Sequence, residues 1–118
     1  MIIGIGTDIV EIKRFQNASQ KFMTKIFTPS EIKYLSQKNL ESIAGLFAAK
    51  EAVAKCLGFG FRNFSPRDIE ICHDTKNAPL VKLHSDALKI SSQLKITDIK
   101  LSISHEKDYA IAFAIAQN

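Results

Sequence analysis

The sequence predicts a compact single domain of the α+β class, spanning residues 1–118, in which an antiparallel sheet packs against a long central helix. Two observations predict the sheet, because apolar residues alternate with small or polar ones at residues 2–10 and again at 99–115. A third predicts the helix, since apolar residues recur at steps of three and four between Ile43 and Leu57. A chain of 118 residues can bury a core without disulfides or metal ions.

The composition is that of an ordinary globular protein with a moderate basic excess. Sixteen Lys and Arg residues against twelve Asp and Glu residues give a formal net charge of +4 and a pI near 9.1. This bias favours anionic partners such as phosphates, nucleic acid or acidic proteins, and charge alone does not choose among them. Cys56 and Cys72 form no metal-spaced pair, which fits a reducing cytoplasm. The apolar opening ends at Asp8, too soon for a signal peptide or a membrane span, so we expect a cytoplasmic protein that does not bind membranes.

Residues 2–10 are predicted to form a strand with one face almost free of side chains. That face carries Gly4, Gly6 and Asp8. Without side chains at the two glycines, another element or a ligand can come close to the backbone beside the Asp8 carboxylate. The alternative is a strand packed tightly on a helix, with Asp8 capping the segment that follows.

Residues 11–26 are predicted to form one amphipathic helix. Its apolar face collects Ile12, Phe15, Phe22 and Ile26. At about 100° per residue, Arg14, Lys21 and Lys25 cluster on the opposite side as one basic stripe. An acidic helix could dock against this stripe. The alternative is a solvated face that happens to carry three basic residues.

Capping residues mark the starts of the next two helices. Thr28-Pro29-Ser30-Glu31 combines a capping threonine, a proline at the first helical position and a glutamate three residues after the cap. Asn39 is predicted to cap the long central helix, and Gly58 to end it. The Gly58-Phe59-Gly60 segment then leaves bare backbone that another molecule could approach closely.

Lys50 is a charged residue within the apolar stripe of the central helix. A buried ammonium without a partner is costly, so Lys50 must reach solvent, pair with a carboxylate, or line a cleft where an anion binds. On the flank of the stripe, Glu51 lies one turn before Lys55. The alternative for these two residues is a surface ion pair worth about 0.3 to 0.5 kcal/mol.

After the central helix, two short strands and one more helix are predicted. The strands are expected at residues 69–73 and 79–83, and Pro79 marks the second as an edge strand because proline donates no ladder hydrogen bond. Ser85 is predicted to cap a helix that runs through Leu94.

A hairpin is predicted to close the chain. Its strands are expected at residues 99–103 and 109–115, with His105–Asp108 as the loop between them. One face of the last strand consists of Ala110, Ala112, Ala114 and Ala116. Such a face would let a helix, or another subunit, pack closely on the sheet.

Five residues from a strand end, a helix and a hairpin loop form the candidate site: Asp8, Lys50, Glu51, Lys55 and His105. Two carboxylates suit a hard cation such as magnesium, which takes one or two protein carboxylates and completes its shell with water and phosphate oxygens. Nearby lysines would hold the phosphates, which is the usual division of labour in phosphoryl transfer. Spacing alone does not prove that Asp8 and Glu51 meet, and the alternative for His105 is an ordinary loop residue.

Three sequence blocks together indicate one protein family. Residues 4–14 read GIGTDIVEIKR, residues 47–60 carry FAAKEA, Lys55 and GFG, and residues 102–105 read SISH. In this order they resemble the holo-[acyl-carrier-protein] synthase family, and three ordered blocks are far more specific than one motif. The resemblance implies the 4′-phosphopantetheinyl transferase fold and transfer of 4′-phosphopantetheine from coenzyme A to a serine of apo acyl carrier protein, with release of adenosine 3′,5′-bisphosphate. It further implies a cytoplasmic role in fatty acid biosynthesis and a homotrimer with active sites between subunits.

The resemblance also implies roles for individual residues. Asp8 and Glu51 match the family's magnesium ligands, and Lys55 matches the lysine on the coenzyme A diphosphate, so these three form the implied catalytic set. Coenzyme A contacts are implied at Lys50, Lys55, Gly58, Gly60, Ser104 and His105.

Arg14, Lys21 and Lys25 occupy the family's docking helix for the acidic carrier protein, in agreement with the basic stripe. The rival function is a non-catalytic basic module whose helix binds nucleic acid. It predicts strongly salt-dependent binding to DNA or RNA. It gives no reason for carboxylates at Asp8 and Glu51.

The sequence departs from the family pattern at three positions, all near the place where the nucleotide part of coenzyme A is expected to bind. Leu46 replaces a common arginine, Phe59 a threonine between the glycines, and Glu106 a threonine after the histidine. Another basic residue, such as Arg62 or a lysine of a neighbouring subunit, is then needed for the 3′-phosphate of coenzyme A.

Overall fold

The computed structural model describes residues 1–58 and 60–118, and over this part of the chain it contains five β-strands and four α-helices. The strands are β1 (Ile2–Glu11), β2 (Ile69–His73), β3 (Pro79–Leu83), β4 (Asp98–His105) and β5 (Tyr109–Gln117). The helices are α1 (Gln20–Ile26), α2 (Pro29–Leu35), α3 (Leu40–Cys56) and α4 (Ser85–Gln93), with short 3₁₀ turns at Ile12–Phe15 and Pro66–Asp68. None of the helices in the described ranges is long and apolar enough to span a membrane.

The sheet formed by the two ends of the chain is three-stranded and antiparallel, in the order β1-β5-β4. Asp8 on β1 lies opposite Ala112 on β5, which in turn lies opposite Ile103 on β4. Strands β2 and β3 form a separate antiparallel pair. The predicted α+β class, with an antiparallel sheet against a long central helix, is confirmed.

Helix α3 packs directly on the side-chain-poor face of this sheet. The four alanines of β5 are at most 1% exposed. A Cβ added to Gly6 would overlap the carbonyl oxygen of Ala52, and one added to Gly4 would overlap that of Cys56. The helix therefore covers the glycine face of β1. Asp8 is the next residue on this face, just beyond the two glycines that contact the helix.

The single helix predicted over residues 11–26 is wrong. Strand β1 continues to Glu11, which pairs with Tyr109, and a 3₁₀ turn follows. Helix α1 begins only at Gln20, where the Ser19 Oγ accepts a hydrogen bond from the Phe22 amide. Cross-strand pairing and a good N-cap thus prevail over the apolar periodicity, and the basic residues do not share one helical stripe.

The capping predictions for the next two helices are confirmed. At α2 the Thr28 hydroxyl accepts from the Glu31 amide at 3.3 Å, and the Glu31 carboxylate accepts from the Thr28 amide at 2.8 Å. At α3 the Asn39 side chain accepts from the Ser42 amide. Local hydrogen bonding therefore fixes where both helices begin.

The second half of the chain differs from the prediction at two boundaries. Strands β2 and β3 have the predicted limits. Helix α4 is capped one residue earlier than predicted, since His84 is the extended N-cap and Ser85 is the first helical residue, with φ of +50°. His105 pairs with Ala110 as the last residue of β4, so the hairpin loop is residues 106–108.

Candidate active site

Asp8, Glu51 and Lys55 come together where β1 meets the last turns of α3. The Lys55 ammonium lies 3.3 Å from an Asp8 carboxylate oxygen and donates to the Thr7 carbonyl at 2.8 Å. Glu51 lies one turn earlier on the same helix and is half-buried. Lys55 therefore reaches across to the strand, and the predicted convergence of the two acids on one helix-strand junction is present.

The Asp8 carboxylate is close enough to Glu51 to affect its ionisation. The pKa of Glu51 is raised, first by burial and then by the neighbouring Asp8 carboxylate, while Lys55 and Arg14 lower it to a smaller extent. A divalent cation would relieve this repulsion. Within the described residues, no cluster of three or more His, Cys, Asp or Glu side chains is arranged to hold a metal. A carboxylate pair still fits magnesium, because this ion usually completes its shell with water and substrate oxygens.

Arg14 lies at the rim of this site and not on α1. Its guanidinium is 5.7 Å from the Phe15 ring centre and 5.6 Å from that of Phe47, one helical turn before Glu51. Lys21 and Lys25 are exposed on α1, four residues apart on one face. The three predicted docking residues thus belong to two elements, and one of them adjoins the carboxylates.

The predicted coenzyme A contact at Lys50 is wrong. Its side chain is 1% exposed, and the ammonium lies 2.7 Å from the Glu31 carboxylate and donates to the carbonyls of Pro66 and Ile69. Burial lowers the Lys50 pKa, and the Glu31 carboxylate opposes this shift. Of the alternatives open from the sequence, pairing with a carboxylate is the one observed. The buried ion pair joins α2 to α3, and no anion from solvent can reach it there.

The two glycines after α3 each have a left-handed backbone conformation. Gly58 has φ of +88° and Gly60 has φ of +60°, values that favour glycine. The Gly58 amide donates to the Lys55 carbonyl at 3.0 Å. Both glycines therefore lie at the same end of α3 as Lys55, whereas Phe59 lies outside the described residues.

His105 lies in a different place. It lines a cavity of about 210 Å³ together with Leu46 and neither carboxylate of the junction is part of that lining. β1 and β4 are the two edges of the sheet, with β5 between them, so their backbones are about 10 Å apart. Ser104 points to the opposite face of β4, because it pairs with the outward-facing Ile111. Within one chain, the acids and His105 thus form two separate clusters.

The cavity contains two residues that sequence reasoning did not identify. Tyr34 and His73 both line it and their rings are stacked, with centroids 4.2 Å apart and planes 9° apart. They come from α2 and β2, and no spacing in the sequence connects them. Only the fold brings them together.

The outer face of the three-stranded sheet is apolar and exposed. Its large side chains are Ile5, Ile9, Tyr109, Ile111 and Phe113, each 43% to 62% exposed. They are adjacent across β1 and β5, since Ile9 pairs with Ile111 and Ile5 lies one pair away from Phe113. A contiguous apolar patch of this kind is typical of a protein interaction surface.

Comparisons with known proteins agree with the site. A family model of the 4′-phosphopantetheinyl transferase superfamily matches residues 4–114. The holo-[acyl-carrier-protein] synthase of Clostridium tetani is 51% identical, over 99% of this chain and 97% of the relative. Neither finding lends support to a nucleic-acid-binding module.

Solved structures share the fold. The synthase from Neisseria meningitidis matches with a TM-score of 0.89 and 40% identity, over 100% of both chains. That from Helicobacter pylori, solved in complex with coenzyme A, matches with a TM-score of 0.84 and 38% identity, over 96% of this chain and 99% of the other.

Proposed function

Since the chain belongs to the holo-[acyl-carrier-protein] synthase family of the 4′-phosphopantetheinyl transferase superfamily, we propose that it transfers 4′-phosphopantetheine from coenzyme A to a serine of apo acyl carrier protein. The serine hydroxyl attacks the β-phosphorus, and the bond from that phosphorus to adenosine 3′,5′-bisphosphate breaks. The holo carrier produced would serve fatty acid biosynthesis in the cytoplasm. The observation that carries the proposal is the meeting of Asp8, Glu51 and Lys55 at one junction.

Asp8 and Glu51 would hold a magnesium ion. The support is chemical, because two hard oxygen donors repel each other and one of them has a raised pKa. When bound, such an ion supplies positive charge to a diphosphate.

Lys55 would bind the diphosphate. Its side chain is half exposed, so the ammonium held by Asp8 and Thr7 is accessible to a ligand. It would neutralise charge that develops on the departing nucleotide phosphate. Gly58 and Gly60, beside Lys55, would let the ligand approach the backbone.

Arg14, Lys21 and Lys25 would dock the acidic carrier protein. All three are exposed and basic, and Arg14 lies close enough to Glu51 to lower the pKa of its carboxyl. A carrier held there would present its serine to the carboxylate pair. Electrostatic attraction over this surface would also raise the association rate.

The complete site would form between copies of this chain in a homotrimer. His105 would contact coenzyme A from one subunit while Asp8 and Glu51 act from another. Two observations support this, namely the separation of the two clusters within one chain and the exposed apolar face of the sheet. Burying that face against another copy would remove it from water.

The direct test is to incubate the protein with coenzyme A, magnesium and apo acyl carrier protein and to measure the mass of the carrier. We expect the carrier to gain one 4′-phosphopantetheine group, and the gain to be lost without magnesium. An unchanged carrier mass with folded protein would contradict the proposal. Salt-dependent binding of DNA or RNA under the same conditions would favour the rival function.

A further inference from the structure

The loop between β4 and β5 is closed by the side chain of its own first residue. One carboxylate oxygen of Glu106, Oε1, accepts a hydrogen bond from the Asp108 amide at 2.6 Å and from the Tyr109 amide at 2.9 Å. The Glu106 amide in turn donates to the Tyr109 carbonyl at 2.9 Å. Hydrogen bonds from backbone amides to a carboxylate are stronger than those between neutral groups. Glu106, which stands where the family pattern commonly has threonine, therefore holds residues 106–109 in one conformation.

The same loop holds the start of the 3₁₀ turn that carries Arg14. This turn, Ile12–Phe15, is preceded by Glu11, whose side chain forms no capping hydrogen bond. The first amide of the turn, that of Ile12, donates instead to the Asp108 carbonyl at 2.9 Å. Because a short 3₁₀ turn has few hydrogen bonds of its own, a partner from another element helps to fix where it begins.

Arg14 depends on this turn for its position. Its guanidinium lies 5.7 Å from the centre of the Phe15 ring and 5.6 Å from that of Phe47, and it forms no hydrogen bond or ion pair with another described residue. The turn itself is held by the buried side chains of Ile12 and Phe15 and by the Asp108 carbonyl. A displaced hairpin loop would therefore displace the arginine as well.

We infer that Glu106 is a positioning residue for recognition of the carrier protein. Its carboxylate fixes the hairpin loop, and the loop, through the Asp108 carbonyl, fixes the turn that presents Arg14. This rests on the proposed function, because it takes Arg14 as part of the docking surface for the carrier. The charge of Glu106 has the wrong sign to attract an acidic partner, so its contribution is geometric.

The test is steady-state transfer in the presence of magnesium, with the carrier protein and coenzyme A varied in turn. In Glu106→Ala we expect kcat/KM for the carrier to fall about three- to fivefold, the range of one exposed ion pair, through a higher KM. The KM for coenzyme A should stay unchanged, because His105 keeps its pairing with Ala110. Glu106→Gln should restore most of the KM for the carrier, since its amide oxygen can accept both hydrogen bonds.

Asp108→Ala is the matched control. It removes one negative charge from the same loop and keeps the backbone carbonyl, and the Asp108 carboxylate forms no hydrogen bond or ion pair within the described part of the chain. Loss of a negative charge by itself favours an acidic carrier, so the KM for the carrier should stay the same or fall slightly. A purely electrostatic role for Glu106 thus predicts the opposite sign from the one we expect.

A double-mutant cycle tests whether Glu106 acts through Arg14. In the Arg14→Gln background, Glu106→Ala should change the KM for the carrier little further, because the guanidinium that it positions is gone. Denaturant unfolding and sedimentation verify that each variant is folded and has the assembly mass of the parent protein.

Three results would overturn the inference: equal effects of Glu106→Ala with and without Arg14, an equal loss in Asp108→Ala, or a change in the KM for coenzyme A in place of the KM for the carrier. All three leave transfer by the parent protein intact. Failure of the proposed function looks different, because the parent protein, with Glu106 in place, would then add no mass to the carrier.

Discussion

The Glu51 carboxylate occupies a position that costs the folded protein stability. Burial and the neighbouring Asp8 raise its pKa, so ionising it at neutral pH is harder in the folded chain than in the unfolded one. Stability from this group is therefore present at low pH and is lost as the pH rises through the raised pKa. A residue kept at such a cost is a good candidate for function.

Glu51→Gln should therefore stabilise the protein while abolishing transfer. Removing the charge relieves both burial and repulsion, so we expect the free energy of unfolding without divalent ions to rise by about 0.5 to 1 kcal/mol. Denaturant unfolding and the carrier mass assay measure the two effects. Asp86→Asn, an exposed acid in the first turn of α4, is the control and should not be stabilised. Full 4′-phosphopantetheine transfer by the Glu51→Gln variant would show that Glu51 is not part of the active site.

Glu70 shows the opposite behaviour, because its surroundings favour the charged form. It accepts hydrogen bonds from Ser30 and Thr28 and lies 2.9 Å from the His84 ring nitrogen, and together these lower its pKa from 4.5 to about 2. The resulting stability is present above pH 4.5 and is lost as the pH falls through about 2.

Glu70→Gln should thus lower the free energy of unfolding at pH 7 by about 2 kcal/mol. Glutamine resembles the protonated acid, so the difference from the parent protein should shrink steadily between pH 4.5 and pH 2. Denaturant unfolding at several pH values measures this. A difference that stays constant down to pH 2 would contradict the account.

Among the elements, the contact between β1 and α3 positions the site. The helix approaches so closely at Gly4 and Gly6 that their backbones touch its carbonyl groups. This contact places Lys55 beside Asp8, which follows Gly4 and Gly6 on the same face of β1. The distance between β1 and α3 at the candidate site therefore depends on residues that have no side chain.

Gly6→Ala should separate these elements. The added Cβ meets the Ala52 carbonyl, a rigid backbone group, so we expect a loss of about 1 to 3 kcal/mol in stability and a large loss of transfer. Gly45→Ala is the matched control. There the new Cβ would lie 3.1 Å from the Ile103 Cγ2, a side chain that can move, and alanine favours the helix. Equal stability losses in the two variants would show that the β1–α3 contact is not special.

Local signals explain which elements were predictable. The caps at Thr28 and Asn39 and the alternation in β2 and β5 act over a few residues, so the sequence predicts them well. Residues 11–26 show the limit, because the pairing of Glu11 with Tyr109 depends on a strand almost a hundred residues away. The partner of Lys50 was likewise unpredictable, since Glu31 reaches it only when α2 docks on α3.

At the scale of the whole molecule, the candidate site residues lie in two clusters on opposite edges of the sheet. Asp8 lies on one edge strand and His105 on the other, and helix α3 crosses between them from β4 to β1. The sequence suggested all these residues through family resemblance, but it could not show that they lie apart. Their separation is the reason to propose a site shared between copies of the chain.

Phe113→Glu should dissociate the proposed homotrimer. A charge in the centre of the apolar sheet face would have to be buried without a partner, so we expect monomers at micromolar concentration by sedimentation. Transfer should fall with the assembly. Leu88→Glu, at a 50% exposed leucine on α4, is the control and should leave the mass of the assembly unchanged. A parent protein that is itself monomeric and fully active would contradict the shared site.

The most direct test of the account is crystallographic. Crystals grown with coenzyme A and Mn²⁺, which prefers the same oxygen ligands as magnesium, allow the ion to be located by its anomalous scattering. The account predicts one ion per chain, bonded to both the Asp8 and the Glu51 carboxylates and to the diphosphate. A crystal in which coenzyme A is bound and the ion contacts neither carboxylate, or only other residues, would contradict it.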